Sequence, residues 1–339
     1  MPRILKARML TLPTLIAALV TALIAMSSAA IFLAGCSEIA VRSNHNSDSP
    51  FEGGGNQNNQ GGARPPIVIP STGSGGATVA TAPAAANKKV AVILGPGGFK
   101  AFAHAGVIKE LRKANIPIDT IVGVEWGALV AGLYAQHAQI HEAEWKLYKL
   151  EKLDLTSTVF FSRKHEVKSL KALQGFLAEN LGTRDAAQST TPFYCPSIQV
   201  SKGVPVLQKS GPINRVVENC LASPPLFTPQ YEYVADMFNL DEIIRGLKNS
   251  GFGIVILVNV LGEGNLFDKI DYNEDYATAL LWDEARRAIW QAKSQATDNI
   301  DVTTQGIAMN DFESRKILVT AGEAAGEKAA HLLLGKYGF

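Results

Sequence analysis

The sequence predicts an α/β domain built on a mainly parallel β-sheet. The apolar run 90–94 is typical of a buried strand, and a glycine-rich turn follows it at 95–98. A helical pattern at 101–113, a second strand at 116–122 and a further helix at 128–135 come next. Strand, helix, strand and helix at this spacing indicate parallel strands joined by right-handed crossovers.

The later part of the chain continues this alternation. Residues 254–260 form another continuous apolar run, which predicts a buried strand. Residues 275–295 place apolar side chains on one face and therefore predict an amphipathic helix. The stretch 313–334 predicts a last helix, broken near Gly322 and Gly326. No internal repeat is visible.

The amino terminus has the pattern of an export signal. The first 35 residues hold three basic residues and no acidic one, and a long apolar stretch, 9–33, follows the basic positions. Small residues then lead into Cys36. A basic region, an apolar region and small residues before a cleavage site are typical of a signal peptide, here 1–35. An uncleaved transmembrane anchor is the alternative, because the apolar stretch is long enough to span a bilayer.

The tetrapeptide Leu33-Ala-Gly-Cys36 resembles the lipobox of bacterial lipoproteins. The resemblance implies cleavage before Cys36 and a diacylglycerol on its sulfur, so that the membrane is a partner. Ser37 after the cysteine implies the outer membrane of a bacterial cell envelope, with the protein facing the periplasm.

Residues 36–89 predict a tether between that anchor and the folded domain. They are rich in Gly, Asn, Pro and Ala and show no apolar periodicity, so they cannot bury enough surface to order themselves. A flexible tether of about 50 residues has an r.m.s. span on the order of 40 Å. Residues 90–339 then form one domain. The formal net charge of +1 argues against a nucleic-acid partner, and nothing in the sequence requires a cofactor.

A glutamate occupies the centre of a turn that is typical of serine hydrolases. Gly123-Val-Glu-Trp-Gly127, here called the elbow, lies between a predicted strand and a predicted helix. This is the setting of the G-x-S-x-G nucleophile elbow, whose small flanking residues permit a strained turn. Glu125 has no hydroxyl to attack an acyl carbon, and its carboxylate would repel an oxyanion forming beside it.

The stretch 94–119, followed by the elbow, resembles the patatin-like phospholipase family. That family has a G-G-G-x-R-G loop, then an Ala-His-x-Gly-Val helix, then G-x-S-x-G; here the loop and helix read Pro-Gly-Gly-Phe-Lys-Ala and Ala-His-Ala-Gly-Val. Residues 221–229 and the carboxyl-terminal region also resemble family segments. The resemblance implies a three-layer α/β/α fold, a Ser–Asp dyad, and an oxyanion loop formed by Gly97, Gly98, Phe99 and Lys100.

The chain departs from the family at three elements of that chemistry. Glu125 replaces the serine nucleophile. Pro96, which has no N–H to donate, and Ala101 replace two loop glycines. The family's Asp-Gly-Gly base motif is absent, and Asp236 is either its relic or an ordinary surface aspartate, the second being the preferred interpretation.

Two functions follow from these departures. The first is a catalytically inactive, lipid-anchored relative that binds a lipid or fatty-acyl ligand or acts as a scaffold for a protein partner that the sequence does not name. The alternative is an active phospholipase or esterase with non-standard catalytic residues, in which Glu125 is a general base or accepts the acyl group.

The remaining chemistry-bearing residues give weaker signals. Cys195 and Cys220 can pair in an oxidising compartment, although buried free thiols are the commoner state. His104 is expected to pack under the first helix rather than to act as a base. His137 and His141, four apart on one predicted helix, lack a third ligand, so we predict no metal site.

Overall fold

A computed structural model describes residues 88–155, 170–223, 227, 231–263, 266 and 276–339. The predicted signal peptide, Cys36, most of the tether and part of 221–229 lie outside these residues. The described strands are β1 (Val90–Leu94), β2 (Thr120–Gly123), β3 (Phe193–Gln199), β4 (Val204–Gln208), β5 (Tyr233–Ala235), β6 (Ile254–Asn259) and β7 (Asp298–Asp301). The described α-helices are α1 (Ala103–Lys113), α2 (Gly127–His137), α3 (Ile140–Tyr148), α4 (Leu170–Leu181), α5 (Ile213–Leu221), α6 (Leu240–Asn249), α7 (Tyr276–Lys293) and α8 (Arg315–Tyr337).

The strands form one mixed, mainly parallel sheet. Its order is β4-β3-β2-β1-β6-β7, and β5 pairs with β3 off this path. The neighbours from β3 through β2, β1 and β6 to β7 are all parallel, whereas β4 and β5 are antiparallel to β3. The predicted α/β class with parallel strands is therefore confirmed.

Helices cover both faces of this sheet and complete three layers. From β1 the chain crosses to β2 and β3 in one direction, and from β6 it crosses to β7 in the other. Because such crossovers are right-handed, α1 and α7 lie on opposite faces. Helix α8 returns to pack along α1, and α6 packs against α7. The strands β1 and β2 are fully buried between the layers, which explains their uninterrupted apolar sequences.

The last helix differs from its prediction, because α8 runs without a break through both glycines. A Cβ added at Gly322 would lie 1.9 Å from the carbonyl oxygen of Ala103, and one at Gly106 would lie 2.1 Å from that of Val319. The glycines therefore allow the backbones of α1 and α8 to approach closely, and they do not end the helix.

A disulfide joins Cys195 in β3 to Cys220 in α5. Both residues have no exposed surface. The expectation that free thiols are the commoner state is therefore wrong here, because the fold places the two Cα atoms 6.1 Å apart, within the range that a disulfide requires.

Among the helices that the structure describes, none combines the length and the apolar composition needed to cross a bilayer.

Candidate functional site: a carboxylate in the oxyanion position

The elbow joins the end of β2 to the start of α2. Val124 donates its N–H to the carbonyl of Leu94, at the end of the neighbouring strand β1. A Cβ added at Gly123 would lie 2.4 Å from the Cα of Ala128, and one at Gly127 would lie 2.6 Å from the carbonyl oxygen of Leu94. Only glycine fits at both positions, which is the physical reason for the G-x-x-x-G frame of this turn.

Glu125 adopts the strained conformation of a residue at the centre of such a turn. Its φ is +54°, in the left-handed region that side chains other than glycine rarely adopt. Its side chain is nevertheless fully buried, with no exposed surface. The turn therefore aims the carboxylate at other parts of the protein.

Two backbone amides meet one oxygen of that carboxylate. Oε2 of Glu125 accepts hydrogen bonds from the N–H of Gly97 at 3.1 Å and from that of Gly98 at 2.9 Å. A pair of converging N–H groups is the arrangement that stabilises an oxyanion in acyl transfer. In this chain the oxygen that occupies it belongs to Glu125.

The expectation that Pro96 weakens the oxyanion loop is wrong for the two amides that contact Glu125. The absent N–H of Pro96 does not remove either donor, because both donors come from the glycines that follow it. Gly98 has a φ of +55°, which favours glycine, and a Cβ at Gly97 would lie 2.5 Å from Val260. The glycines therefore keep the two amides in place.

Phe99 and Lys100, which the resemblance assigns to the same loop, point their polar groups elsewhere. The amide of Phe99 donates to the carbonyl of Met309 at 2.9 Å. The Lys100 ammonium is buried and donates to the carbonyl of Leu261 at 3.1 Å. Burial, with the nearby charge of Arg286, lowers the pKa of Lys100 to about 8.

Ser223 completes the surroundings of Glu125. Its hydroxyl donates to Oε1 of Glu125 at 2.7 Å, and its side chain is buried. No local sequence pattern indicates this contact, because the two residues are 98 positions apart and the segment around Ser223 is distinguished mainly by its prolines.

Burial raises the pKa of the Glu125 carboxyl. Loss of water penalises the charged form, while hydrogen bonds from Trp126, Ser223, Gly97 and Gly98 offset part of this penalty. The net direction is upward, although the carboxylate has a hydrogen-bond donor at each oxygen. The site therefore holds its glutamate by specific contacts and at a cost in desolvation.

Asp236 is buried, so the preferred interpretation of it as a surface aspartate is wrong. Its Oδ2 accepts a hydrogen bond from the side-chain amide of Asn239 at 2.7 Å, and Oδ1 accepts from the backbone N–H groups of Phe238 and Asn239. These contacts organise the turn that begins α6. The preceding residue, Ala235, donates to the carbonyl of Ala222 next to Ser223.

His104 is fully buried in α1. Its Nε2 lies 2.8 Å from the carbonyl oxygen of Gly95, and since a carbonyl only accepts, Nε2 carries the proton. Nδ1 has no hydrogen-bond partner among the residues that the structure describes. Burial lowers the pKa of His104 to about 4, so the ring is neutral and holds the start of the glycine loop.

His137 and His141 are on different helices, contrary to the expectation of one helix. His137 ends α2 and His141 lies in α3, and Ala138 between them has a φ of +54° that closes α2. No group of three potential metal ligands occurs within the described residues.

Aromatic rings flank the elbow. The ring of Trp126 lies 4.9 Å from that of Phe99 and 5.3 Å from that of Phe227, and Phe99 lies 5.3 Å from Phe312. All four residues are buried. Such pairs contribute about 0.5–1.5 kcal/mol each beyond their buried area, so they reinforce the closed packing around residue 125.

Comparison with known proteins agrees with this geometry. Residues 92–241 match the family described as patatin-like phospholipase. The Lysophospholipase nte1 of Aspergillus fumigatus is 28% identical over 187 residues, which are 51% of this chain but only 12% of that protein. The Lysophospholipase nte1 of Neurospora crassa is 45% identical over 53 residues, which are 16% of this chain and 4% of that protein.

Among solved structures, VipD from Legionella pneumophila aligns with a TM-score of 0.42 and 13% identity, over 73% of this chain and 67% of its own. The chain spans a small part of the fungal proteins that it matches. The family match over 92–241 includes the glycine loop, the elbow, Ser223 and Asp236. On the grounds of this match and the fungal relatives, residues 92–241 form a patatin-like phospholipase domain.

Proposed function

We propose that this protein is a catalytically inactive member of the patatin-like phospholipase family, anchored to a membrane through Cys36, that acts in lipid binding or as a scaffold. One observation carries the proposal: the Glu125 carboxylate accepts both amide hydrogen bonds that an oxyanion would need. The nucleophilic hydroxyl is absent from the elbow, and the substituting side chain also occupies the stabilising donors. Loss of one such donor costs about 2.7–4 kcal/mol of transition-state stabilisation.

The lipid class of the ligand comes from the names of the relatives, which are lysophospholipases. The membrane anchor comes from the sequence alone, through the signal pattern and the Leu-Ala-Gly-Cys ending. The outer membrane, facing the periplasm, is the location that Ser37 favours.

The direct test measures hydrolysis of p-nitrophenyl butyrate and of a lysophospholipid by the purified full chain. We expect no turnover above a heat-denatured sample. Glu125→Ser should free the two amides but still give little or no esterase, because a serine without a base keeps its proton. The same substitution should strengthen binding of a fatty-acid probe such as oleate, since a buried carboxylate no longer opposes the ligand carboxylate.

The alternative of an active enzyme gains one specific observation, the hydrogen bond from Ser223 to Glu125. In that case Glu125 takes the Ser223 proton, Oγ attacks the ester carbon, and the alcohol leaves with a proton; water then hydrolyses the acyl-serine and returns the hydroxyl. Turnover by the native chain that is lost in both Ser223→Ala and Glu125→Gln would establish this alternative and reject the inactive protein. The occupied amides favour the inactive protein.

A further inference from the structure

A cavity lies at the carboxyl end of β6 and β7, separate from the contacts of Glu125. Its volume is about 390 Å³, within the range of small-molecule sites. Helix α7 forms one wall, and the residues that follow β6 and β7 form the other. In α/β proteins, ligands bind outside the carboxyl ends of the parallel strands, and the cavity lies at that edge of the sheet.

Trp290 gives this cavity an open aromatic surface. It lines the cavity while 76% of its surface remains exposed, whereas tryptophan is highly buried on average. Ile289 and Lys293 line the same wall, one helical turn apart. A flat ligand with an apolar face would gain from covering the indole ring.

The opposite wall offers hydrogen-bonding groups in a fixed arrangement. Oδ1 of Asp301 accepts from the side-chain amide of Asn259 at 2.8 Å and from the Lys293 ammonium at 2.5 Å. These two contacts hold the carboxylate in place. The exposed side chains of Thr303 and Gln305 line the cavity beside it.

The charges of the lining cancel. Glu263 and Asp301 are acidic, and Arg286 and Lys293 are basic. A phosphate or carboxylate ligand would meet both acidic side chains, and a cationic ligand both basic ones. The balance therefore favours a neutral ligand that is rich in donors and acceptors.

We propose that this cavity binds a neutral glycan. A β-linked glucose-type pyranose has equatorial hydroxyls and an apolar face of axial C–H bonds. The C–H face would stack on Trp290, and the hydroxyls would donate to Asp301 and accept from Asn259. Aromatic stacking together with fixed amide and carboxylate partners distinguishes this ligand class from lipids, which carry no such face.

The test is calorimetric titration of the full chain with the β-1,4-linked trisaccharides of glucose and of N-acetylglucosamine. The chain is kept in a polyoxyethylene detergent, because glycosidic detergents would compete for the site. We expect saturable binding of at least one of the two, weakened about tenfold or more in Trp290→Ala. Trp290 is on the surface, so the variant should fold, which an unchanged melting temperature checks.

Trp145→Ala is the matched control. Trp145 is 59% exposed and lies on α3, outside the cavity lining. Its substitution should leave the affinity unchanged. Absence of saturable binding of both trisaccharides, equal losses in the two tryptophan variants, or tighter binding of glycerol 3-phosphate than of either sugar would overturn the proposal. Each result is independent of the esterase assay.

Discussion

At the level of single residues, position 125 combines a strained backbone with a fully satisfied carboxylate. The left-handed turn was foreseeable, since the G-x-x-x-G frame and its flanking elements are local in sequence. The partners of the carboxylate were not foreseeable. Apart from the adjacent Trp126, they lie 27, 28 and 98 positions away, and only the fold brings them together.

The raised pKa of Glu125 predicts a particular pH dependence of stability. Between its ordinary value and its raised folded value, the folded protein binds more protons than the unfolded chain. The free energy of unfolding due to this group is therefore greatest at low pH and falls as pH rises above about 4.5. Glu125→Gln removes this fall.

The measurement compares urea unfolding of Glu125→Gln and the native chain at pH 4.5 and 7.5. We expect the variant to gain relative stability at the higher pH, because each tenfold difference in proton affinity between the folded and unfolded states corresponds to about 1.4 kcal/mol. Glu313→Gln, at an exposed position, should show no such gain. The prediction would be contradicted if the unfolding free energy of Glu125→Gln, relative to that of the native chain, stayed constant or decreased with rising pH.

The lowered pKa of His104 predicts the opposite pH dependence of stability. Its pKa is lowered to about 4, so the unfolded chain binds more protons between pH 4 and 6.5. The contribution of His104 to the free energy of unfolding is fully present above about pH 6.5. It decreases by about 3 kcal/mol in total as the pH falls to about 4.

His104→Gln keeps a donor for the Gly95 carbonyl but cannot be protonated. Its unfolding free energy should change less between pH 6.5 and 4 than that of the native chain, as measured by urea unfolding at both values. His141→Gln, at an exposed position, should retain the native profile. Equal losses of stability in the native chain and in His104→Gln would show that His104 is not the group responsible.

At the level of elements, the strands and helices around the elbow were predictable, because buried parallel strands have uninterrupted apolar sequences. The continuity of α8 was not predictable. Glycine in a helical pattern indicates a break when only local propensity is considered. Here the contact with α1 outweighs propensity, since Gly322 meets Ala103 of a helix more than 200 positions earlier.

Gly322→Ala should destabilise the protein, because the new methyl group would lie 1.9 Å from the carbonyl oxygen of Ala103 and force the helices apart. Such overpacking costs about 1–3 kcal/mol or more. Gly335→Ala in the same helix meets no atom of the described residues within 4 Å, and its higher helix propensity should add up to about 1 kcal/mol.

Thermal or urea unfolding of both variants compares their stabilities at two glycine positions of the same helix. If Gly322→Ala were as stable as Gly335→Ala, close packing of α1 on α8 would not be the reason for the glycine.

At the level of the whole molecule, the parallel sheet class follows from the order of elements, which the sequence displays. The antiparallel strands β4 and β5 and the disulfide do not, because short strands and a pair of cysteines have no local signal that fixes their partners. The arrangement of signal, tether and domain rests on the sequence and stays a prediction that one substitution can test.

Cys36→Ala is the decisive variant for the anchor. If diacylglycerol is attached at Cys36, this variant should remain uncleaved or leave the detergent phase on Triton X-114 partitioning, while the native chain enters that phase. Ser37→Ala, next to it, should retain cleavage and partitioning, since the lipid is attached through the cysteine sulfur. Unchanged cleavage and partitioning in Cys36→Ala would reject the lipid anchor. If the native chain and the variant both stay uncleaved and both enter the detergent phase, the transmembrane alternative holds, in which the apolar stretch 9–33 anchors the protein without a lipid.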